Sequence, residues 1–122
     1  MIKKTAFTLY PIVDVARARR FYEQVLELEV WYAGEHGGTH WVEYNLPEGG
    51  CLALTDATDE EPGAGGGTVA LEVEDLDVCM EKLRGADVEF KSDVIRGPRC
   101  RMAVCLDSEG NSILLHQFDK EA

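Results

Sequence analysis

The secondary-structure signals of this chain run through twice in the same order, the second time 61 residues after the first, and that repeat restricts the fold to two like halves. The first round opens at Thr5 to Ile12, whose β-branched and aromatic residues argue a strand. Pro11 and Asp14 end it, and the Asp14 carboxylate is placed to accept the free N–H groups of a helix. Val15, Ala18, Tyr22, Val25 and Leu26 then recur at helical spacing, with Arg17, Arg19, Arg20, Glu23 and Gln24 mostly outside that stripe. Strands are predicted at Leu28–Tyr32, Thr39–Tyr44 and Cys51–Thr55, with turns at Gly34, Gly37-Gly38 and residues 45–50. The acidic, glycine-rich run from Asp56 to Gly67, DATDEEPGAGGG, buries too little apolar surface to fold alone and reads as an exposed connector. The pattern then restarts. Thr68–Val73 is a strand, Asp75 a cap, Leu76, Cys79, Met80 and Leu83 a helical stripe, and Gly85 its stop. Val88–Val94, Cys100–Leu106 and Ser112–Phe118 complete the second set of strands.

Asp14 matches Asp75, and Leu52-Ala53-Leu54 matches Ile113-Leu114-Leu115, so the register is fixed at both ends of the unit. Each round is a βαβββ unit, and the predicted class is α+β. The expectation is a single domain over 1–122, with units at about 4–56 and 67–118, because neither half covers its helix stripe and its sheet alone. Alternation puts Thr8, Tyr10, Ile12, Leu52 and Leu54 on the helix side of the first unit, leaving Phe7, Leu9, Pro11, Cys51, Ala53 and Thr55 opposite. In the second unit Val69, Leu71, Val73, Ile113, Leu115 and Gln117 face the helix, leaving Thr68, Ala70, Glu72, Ser112, Leu114 and His116 opposite. That second face is apolar but carries hydroxyls, a thiol, Glu72 and His116. A face meant only for water would carry more charge, so a curved mixed sheet lining a pocket, with the helices outside, is expected.

Twelve basic against 23 acidic side chains leave a net charge of −11. Such a surface repels phosphate backbones and anionic lipid, so neither nucleic acid nor membrane is an expected partner, whereas a cationic or neutral small molecule meets no barrier. The opening MIKKTAFTLYP has no apolar signal stretch, no run approaches a membrane span, and a soluble cytoplasmic protein is expected. Cys51, Cys79, Cys100 and Cys105 form no CxxC pair and read as reduced, small hydrophobes.

Three stretches resemble one family. PIVDVARARRFYEQVLELEV, with Phe21-Tyr22 in its helix, ALEVEDLDVCMEKL, and LDSEGNSILLHQF from Leu106 to Phe118 are similar to the vicinal oxygen chelate superfamily. This is the glyoxalase, bleomycin-resistance-protein and extradiol-dioxygenase group. Leu26-Glu27-Leu28 replaces the family's glycine-containing version, and Ser108 stands where its turn has proline. The resemblance runs from residue 5 to 118. It implies two βαβββ units and, in metal-binding members, His, Gln or Glu ligands on the first and last strands of each unit. Those positions are here Phe7, Ala53, Thr68 and Leu114. Phenyl and alkyl groups offer no lone pair and one threonine hydroxyl is a poor ligand, so no metal and no cofactor are expected. The resemblance then points to nonmetal, drug-sequestering members rather than to glyoxalase, lyase or dioxygenase chemistry, and also implies a homodimer.

Candidate catalytic groups are Glu72 and His116, either of which suits a general base, against ordinary roles at the strand ends. Pocket candidates are Phe7, Leu9, Trp31, Trp41, Ala53 and Thr68, then Ala70, Glu72, Leu114 and His116. Trp31 and Trp41 suit stacking on a planar ligand, though packing is the commoner use of tryptophan. Glu43 and Tyr44 alternate, so one of the two faces the pocket. His36 and His40 are candidates for a shared metal site only if folding brings them together. Arg96, Arg99 and Arg101 either hold a carboxylate or decorate a loop. Two functions remain open: capture of a small, partly aromatic and cationic molecule, or catalysis by a glyoxalase-like lyase or isomerase or a dioxygenase relative whose metal site is absent or non-standard, with Glu72 or His116 as base.

Overall fold

Two aspartates set where the helices begin. In the computed structural model, which describes residues 1–120, Asp14 accepts the Arg17 N–H at 3.0 Å and Asp75 the Val78 N–H at 3.1 Å. Each satisfies a donor that has no partner inside the helix. The chain divides into two units, one up to Pro62 and one from Gly63 on. The first runs β1 (Thr8–Pro11), α1 (Val15–Arg20), one wider π turn (Phe21–Val25), β2 (Glu29–His36), β3 (Thr39–Asn45) and β4 (Cys51–Thr55). The second runs β5 (Val69–Glu72), α2 (Leu76–Gly85), β6 (Ile95–Arg96), β7 (Cys100–Leu106) and β8 (Ser112–Phe118).

Each unit holds one four-stranded mixed sheet, ordered β1-β4-β3-β2 in the first and β5-β8-β7-β6 in the second. The outer pair is parallel in both, Thr8 opposite Leu52 and Val69 opposite Ile113, so the pairing itself repeats at 61 residues. The hairpins repeat too: Asn45 faces Cys51 as Leu106 faces Ser112, and Gly34 faces Trp41 as Ile95 faces Met102. One face of each sheet packs on its own helix. In the first unit Tyr22 stacks on Tyr44 at 5.8 Å between centroids, and Leu52, Leu54 and Val42 are buried. The Tyr44 hydroxyl donates to Glu23 at 2.8 Å and Arg19 holds the same carboxylate at 2.7 Å. Burial pushes the Glu23 carboxyl up, but these two partners outweigh it and hold it below the usual range. In the second unit Leu76, Met80 and Leu83 cover Ile113 and Leu115, and the Gln117 carbonyl takes the Leu76 N–H at 2.7 Å.

The structure corrects two expectations and refines a third. Gly34 lies inside β2 rather than in a turn; the hairpin turns at Gly37-Gly38, whose φ of 60° and 85° suit a two-residue reversal. α2 ends at Gly85 as expected, but that glycine is not the left-handed position, which is Asp87 at φ 63°, with Glu27 at φ 60° after the first helix. The strand expected at Val88–Val94 shrinks to a single bridge, Phe90 to Cys105, followed by the two-residue β6. The reason is local: the Ser92 hydroxyl takes the Val104 N–H at 2.9 Å, which a backbone carbonyl would take in a continuous ladder.

The β7–β8 turn invites a small stabilising change. Gly110 N–H closes a four-residue turn on the Asp107 carbonyl at 3.2 Å, which puts Ser108 at its second position, where proline fits. Ser108→Pro is expected to raise stability by about 0.4–1 kcal/mol by narrowing the unfolded ensemble. A thermal melt showing a lower midpoint would mean that the turn rejects the ring.

Candidate functional site

The alternation that buries Tyr44 against the helix turns Glu43 to the other face of the first sheet, which decides between the two. Trp41 lies on that face as well, its ring meeting Phe7 edge-on at 5.5 Å between centroids. Glu43 stands directly across from Ala53 on β4 and Tyr32 on β2, and Leu9 flanks Ala53 from β1. Cys51 Sγ lies 3.8 Å from the Glu43 carboxylate. Tyr32 bends along β2 over Gly34: a Cβ there would come within 2.8 Å of its ring, and its hydroxyl reaches His36 Nε2 at 3.2 Å. Glycine thus leaves room for the Tyr32 ring at the position whose cross-strand partner is Trp41. Phe7, Leu9 and Tyr32 are exposed, Ala53 is buried, and Trp31 falls where the β2–β3 register shifts and is 65% exposed.

The matching face of the second sheet is differently equipped. Glu72 and His116 are direct cross-strand partners, with Glu72 Oε1 2.6 Å from His116 Nδ1 and Oε2 accepting the Phe118 N–H at 2.8 Å. Ala70 pairs with Leu114 on the same face, and Met102 and Val104 continue it on β7. Thr68 is exposed and precedes β5, as Phe7 precedes β1. Pairing therefore joins Glu72 to His116, whereas Trp41, Phe7, Leu9 and Ala53 belong to the other unit's face.

A further charged cluster follows from the β3–β4 register and not from the sequence. Extending the Trp41–Thr55 pair by one residue brings His40 opposite Asp56, whose carboxylate accepts the His40 backbone N–H at 2.6 Å and meets Nδ1 at 2.8 Å. Glu35 reaches Nε2 at 3.4 Å. His36 lies on the opposite face of this hairpin, because it pairs with Thr39 while His40 pairs with Glu35, so the two imidazoles share no site. The Asp56 hydrogen bond raises the His40 pKa above its usual value. Burial pushes Asp56 up, but its bonds from His40 outweigh this and hold it low. A raised histidine pKa adds stability that is complete below its unfolded value and lost as pH rises through the folded one. A lowered carboxyl pKa adds stability that is lost as pH falls through its folded value. Wild type should therefore exceed His40→Gln in melting temperature most near pH 5–6, roughly, with the gap closing in mildly alkaline buffer. A gap independent of pH would show that the pair contributes nothing through charge.

Two of the three candidate arginines are engaged, and three of the four cysteines are inert. Arg96 forms a two-pronged pair with Asp119 at 2.8 and 2.7 Å, and Arg101 reaches Asp77 and Gln117, so these arginines serve the surface of the unit rather than a ligand carboxylate. Burial pushes the Cys105 thiol up to about 12 and raises Cys79 and Cys51, the last with help from Glu43. All three stay protonated and weakly nucleophilic. Two solvent-open clefts of about 470 and 460 Å³ lie beside α2, around Met80 and Asp93 and around Phe90 and Lys91, away from both faces just described. No helix among the described residues is long and apolar enough to cross a membrane.

Residues 4–115 match the family model described as the Glyoxalase/Bleomycin resistance protein/Dioxygenase superfamily. The chain belongs to this superfamily. Solved structures share its fold: TnmS3, an antibiotic binding protein from Streptomyces sp. CB03234, superimposes with a TM-score of 0.83 at 21% identity, over 97% of this chain and 98% of that one. UcmS2 gives 0.80 at 24% identity over 95% and 98%, and the fosfomycin resistance protein FosX from Listeria monocytogenes 0.74 at 16% over 96% and 94%. No curated protein matches the chain. Metal-binding members of the superfamily commonly place ligands at four positions, and the residues at the corresponding places here do not fit a metal. Phe7, Ala53 and Leu114 carry no lone pair, and Thr68 has one hydroxyl. Among the described residues no group of three or more His, Cys, Asp and Glu side chains could hold an ion elsewhere.

Proposed function

We propose that this protein is a metal-independent binder that captures a small, partly aromatic, cationic molecule. The observation that carries this reading is the face of the first sheet, where the Glu43 carboxylate is set among Trp41, Phe7 and Tyr32. Aromatic faces attract cations through their quadrupole, and a carboxylate at the same surface adds a direct charge partner. The net charge of −11 draws cations from a distance. The likeness to TnmS3, described as an antibiotic binding protein, supports a capture role of this class. A homodimer and a soluble cytoplasmic setting complete the reading; pairing of edge strands suits a small protein of this family, and light scattering of a monomer at micromolar concentration would remove the dimer.

A second reading, metal-free catalysis, is favoured by the 2.6 Å contact between Glu72 and His116, an arrangement suited to a general base. One experiment separates the two. Tryptophan emission is followed while cationic glycopeptide drugs, planar aromatics and small carbonyl compounds are added, and each mixture is searched for product by mass spectrometry. Saturable binding with no product supports capture. Product that vanishes in Glu72→Gln and His116→Ala, with folding and affinity kept, establishes the enzyme instead.

A further inference from the structure

The second sheet carries an arrangement that the capture of a cation does not use. Both oxygens of Glu72 are engaged, one by His116 Nδ1 and one by the Phe118 N–H, which sets the orientation of the carboxylate. The Phe118 ring meets the imidazole edge-on at 4.6 Å between centroids and fixes it from another side. Met102 stands across from His116 on β7 and supplies an apolar flank. An ionised carboxylate only accepts hydrogen bonds, so the hydrogen in the short contact belongs to Nδ1. A neutral imidazole with its proton on Nδ1 presents Nε2 as an acceptor. Among the described residues no hydrogen bond reaches that nitrogen, and the His116 side chain remains 20% exposed.

We propose that His116 Nε2 is a preset acceptor for the hydroxyl of a phenol or enol, with Glu72 as the positioning residue that holds the tautomer. The site rests on the reading that the faces away from the helices take a small molecule, and it adds the chemical group that the second unit selects. No bond is broken: the hydroxyl donates and keeps its proton. The preference follows from the ring. A methyl ether has no hydrogen to give, so it leaves Nε2 unpaired beneath an apolar ligand, and desolvating an unpaired acceptor is unfavourable. The same logic makes Glu72 testable. In Glu72→Gln the amide oxygen is still needed by the Phe118 N–H, which turns the NH2 group toward Nδ1. An NH2 group can only donate, so the imidazole must move its proton to Nε2 and change from acceptor to donor.

The test uses the full chain with ¹⁵N-labelled histidine, His116 being assigned by its loss in His116→Phe, and the probes 2-naphthol and 2-methoxynaphthalene. In wild type the ring shifts should report the proton on Nδ1. Adding 2-naphthol should move the Nε2 signal, and 2-naphthol should bind about tenfold more tightly than its methyl ether. Glu72→Gln should show the inverted tautomer and lose the hydroxyl preference, and a folded His116→Phe should show no preference. A wild-type proton on Nε2, an Nε2 signal unmoved by 2-naphthol, or a preference kept in His116→Phe would overturn the proposal. If Glu72→Gln fails to fold, the wild-type tautomer and His116→Phe still decide it. Benzyltrimethylammonium is titrated against tryptophan emission in the same samples. Loss of that response alone removes the cation reading; loss of the Nε2 response alone removes this one.

Discussion

Asp107→Ala is expected to destabilise the protein by about 2–5 kcal/mol, the largest single loss a polar substitution should produce in this chain. Asp107 is buried in the β7–β8 turn, and its Oδ1 accepts the N–H groups of Glu109 and Asn111, both at 2.8 Å. Its Oδ2 accepts from Asn111 Nδ2 at 3.0 Å, which orients the buried Asn111 amide so that Oδ1 takes the Gly63 N–H at 3.1 Å. Removing the carboxylate therefore strips this acceptor from two backbone donors and releases the group that ties Gly63, the start of the second unit, to the turn. Bonds to a charged acceptor are about twice as strong as neutral ones, which places the loss above that of an ordinary turn residue. Asp107→Asn separates the contributions. One amide oxygen can keep the two backbone N–H groups, but its NH2 opposes that of Asn111, so the Asn111 amide must turn and lose Gly63. Denaturant melts should rank wild type above Asp107→Asn and that above Asp107→Ala. Hydrogen exchange at Gly63 should accelerate in both variants. Equal stability of wild type and the alanine variant would show that water replaces the carboxylate at no cost.

What can be read from the residues follows from how far apart the interacting groups lie in sequence. The caps at Asp14 and Asp75 depend on the next three residues, and β4, β7 and β8 form at the bounds their composition predicts because each is an unbroken run of strand-forming residues. The Val88–Val94 segment looks equally good, yet a serine hydroxyl twelve residues upstream of Val104 displaces the ladder, and only the register reveals it. Alternation alone puts Glu72 and His116 on one face, which is why the sequence singles out both. That they touch depends on parallel pairing between strands 44 residues apart. Glu43 takes its side from Tyr44, whose hydroxyl bonds with Glu23 on the helix, a contact between residues 21 apart that no local pattern specifies. The Tyr32 ring over Gly34 is out of reach in a different way: Gly34 reads as a turn, and its use as space for a neighbouring ring is a property of packing, not of propensity.

Glu43→Lys should weaken benzyltrimethylammonium binding by more than about tenfold in low salt, and Glu43→Gln by about three- to tenfold. The cross-strand geometry is the reason. Tyr32, Glu43 and Ala53 lie side by side across β2, β3 and β4, with Trp41 two residues before Glu43 and Phe7 against its ring. Ala53 offers only a methyl beside the carboxylate, which leaves room where a longer side chain would cover it. A quaternary ammonium cannot donate a hydrogen bond, so only charge and aromatic faces can hold one, and this surface supplies both. The charge contribution is screened by salt and the aromatic contribution is much less so. Wild-type affinity should fall as sodium chloride rises, and Glu43→Gln should start weaker and fall less, the two converging in high salt. Trp41→Phe serves as the complementary variant: it should keep the salt dependence while losing most of the change in emission. Glu43 lies away from the buried core on the helix side, so its substitution should leave the melting temperature within a degree or two, roughly, which separates lost binding from lost folding. Equal affinity and an equal salt slope in wild type and Glu43→Gln would remove the carboxylate from the site and leave stacking alone to hold the ligand.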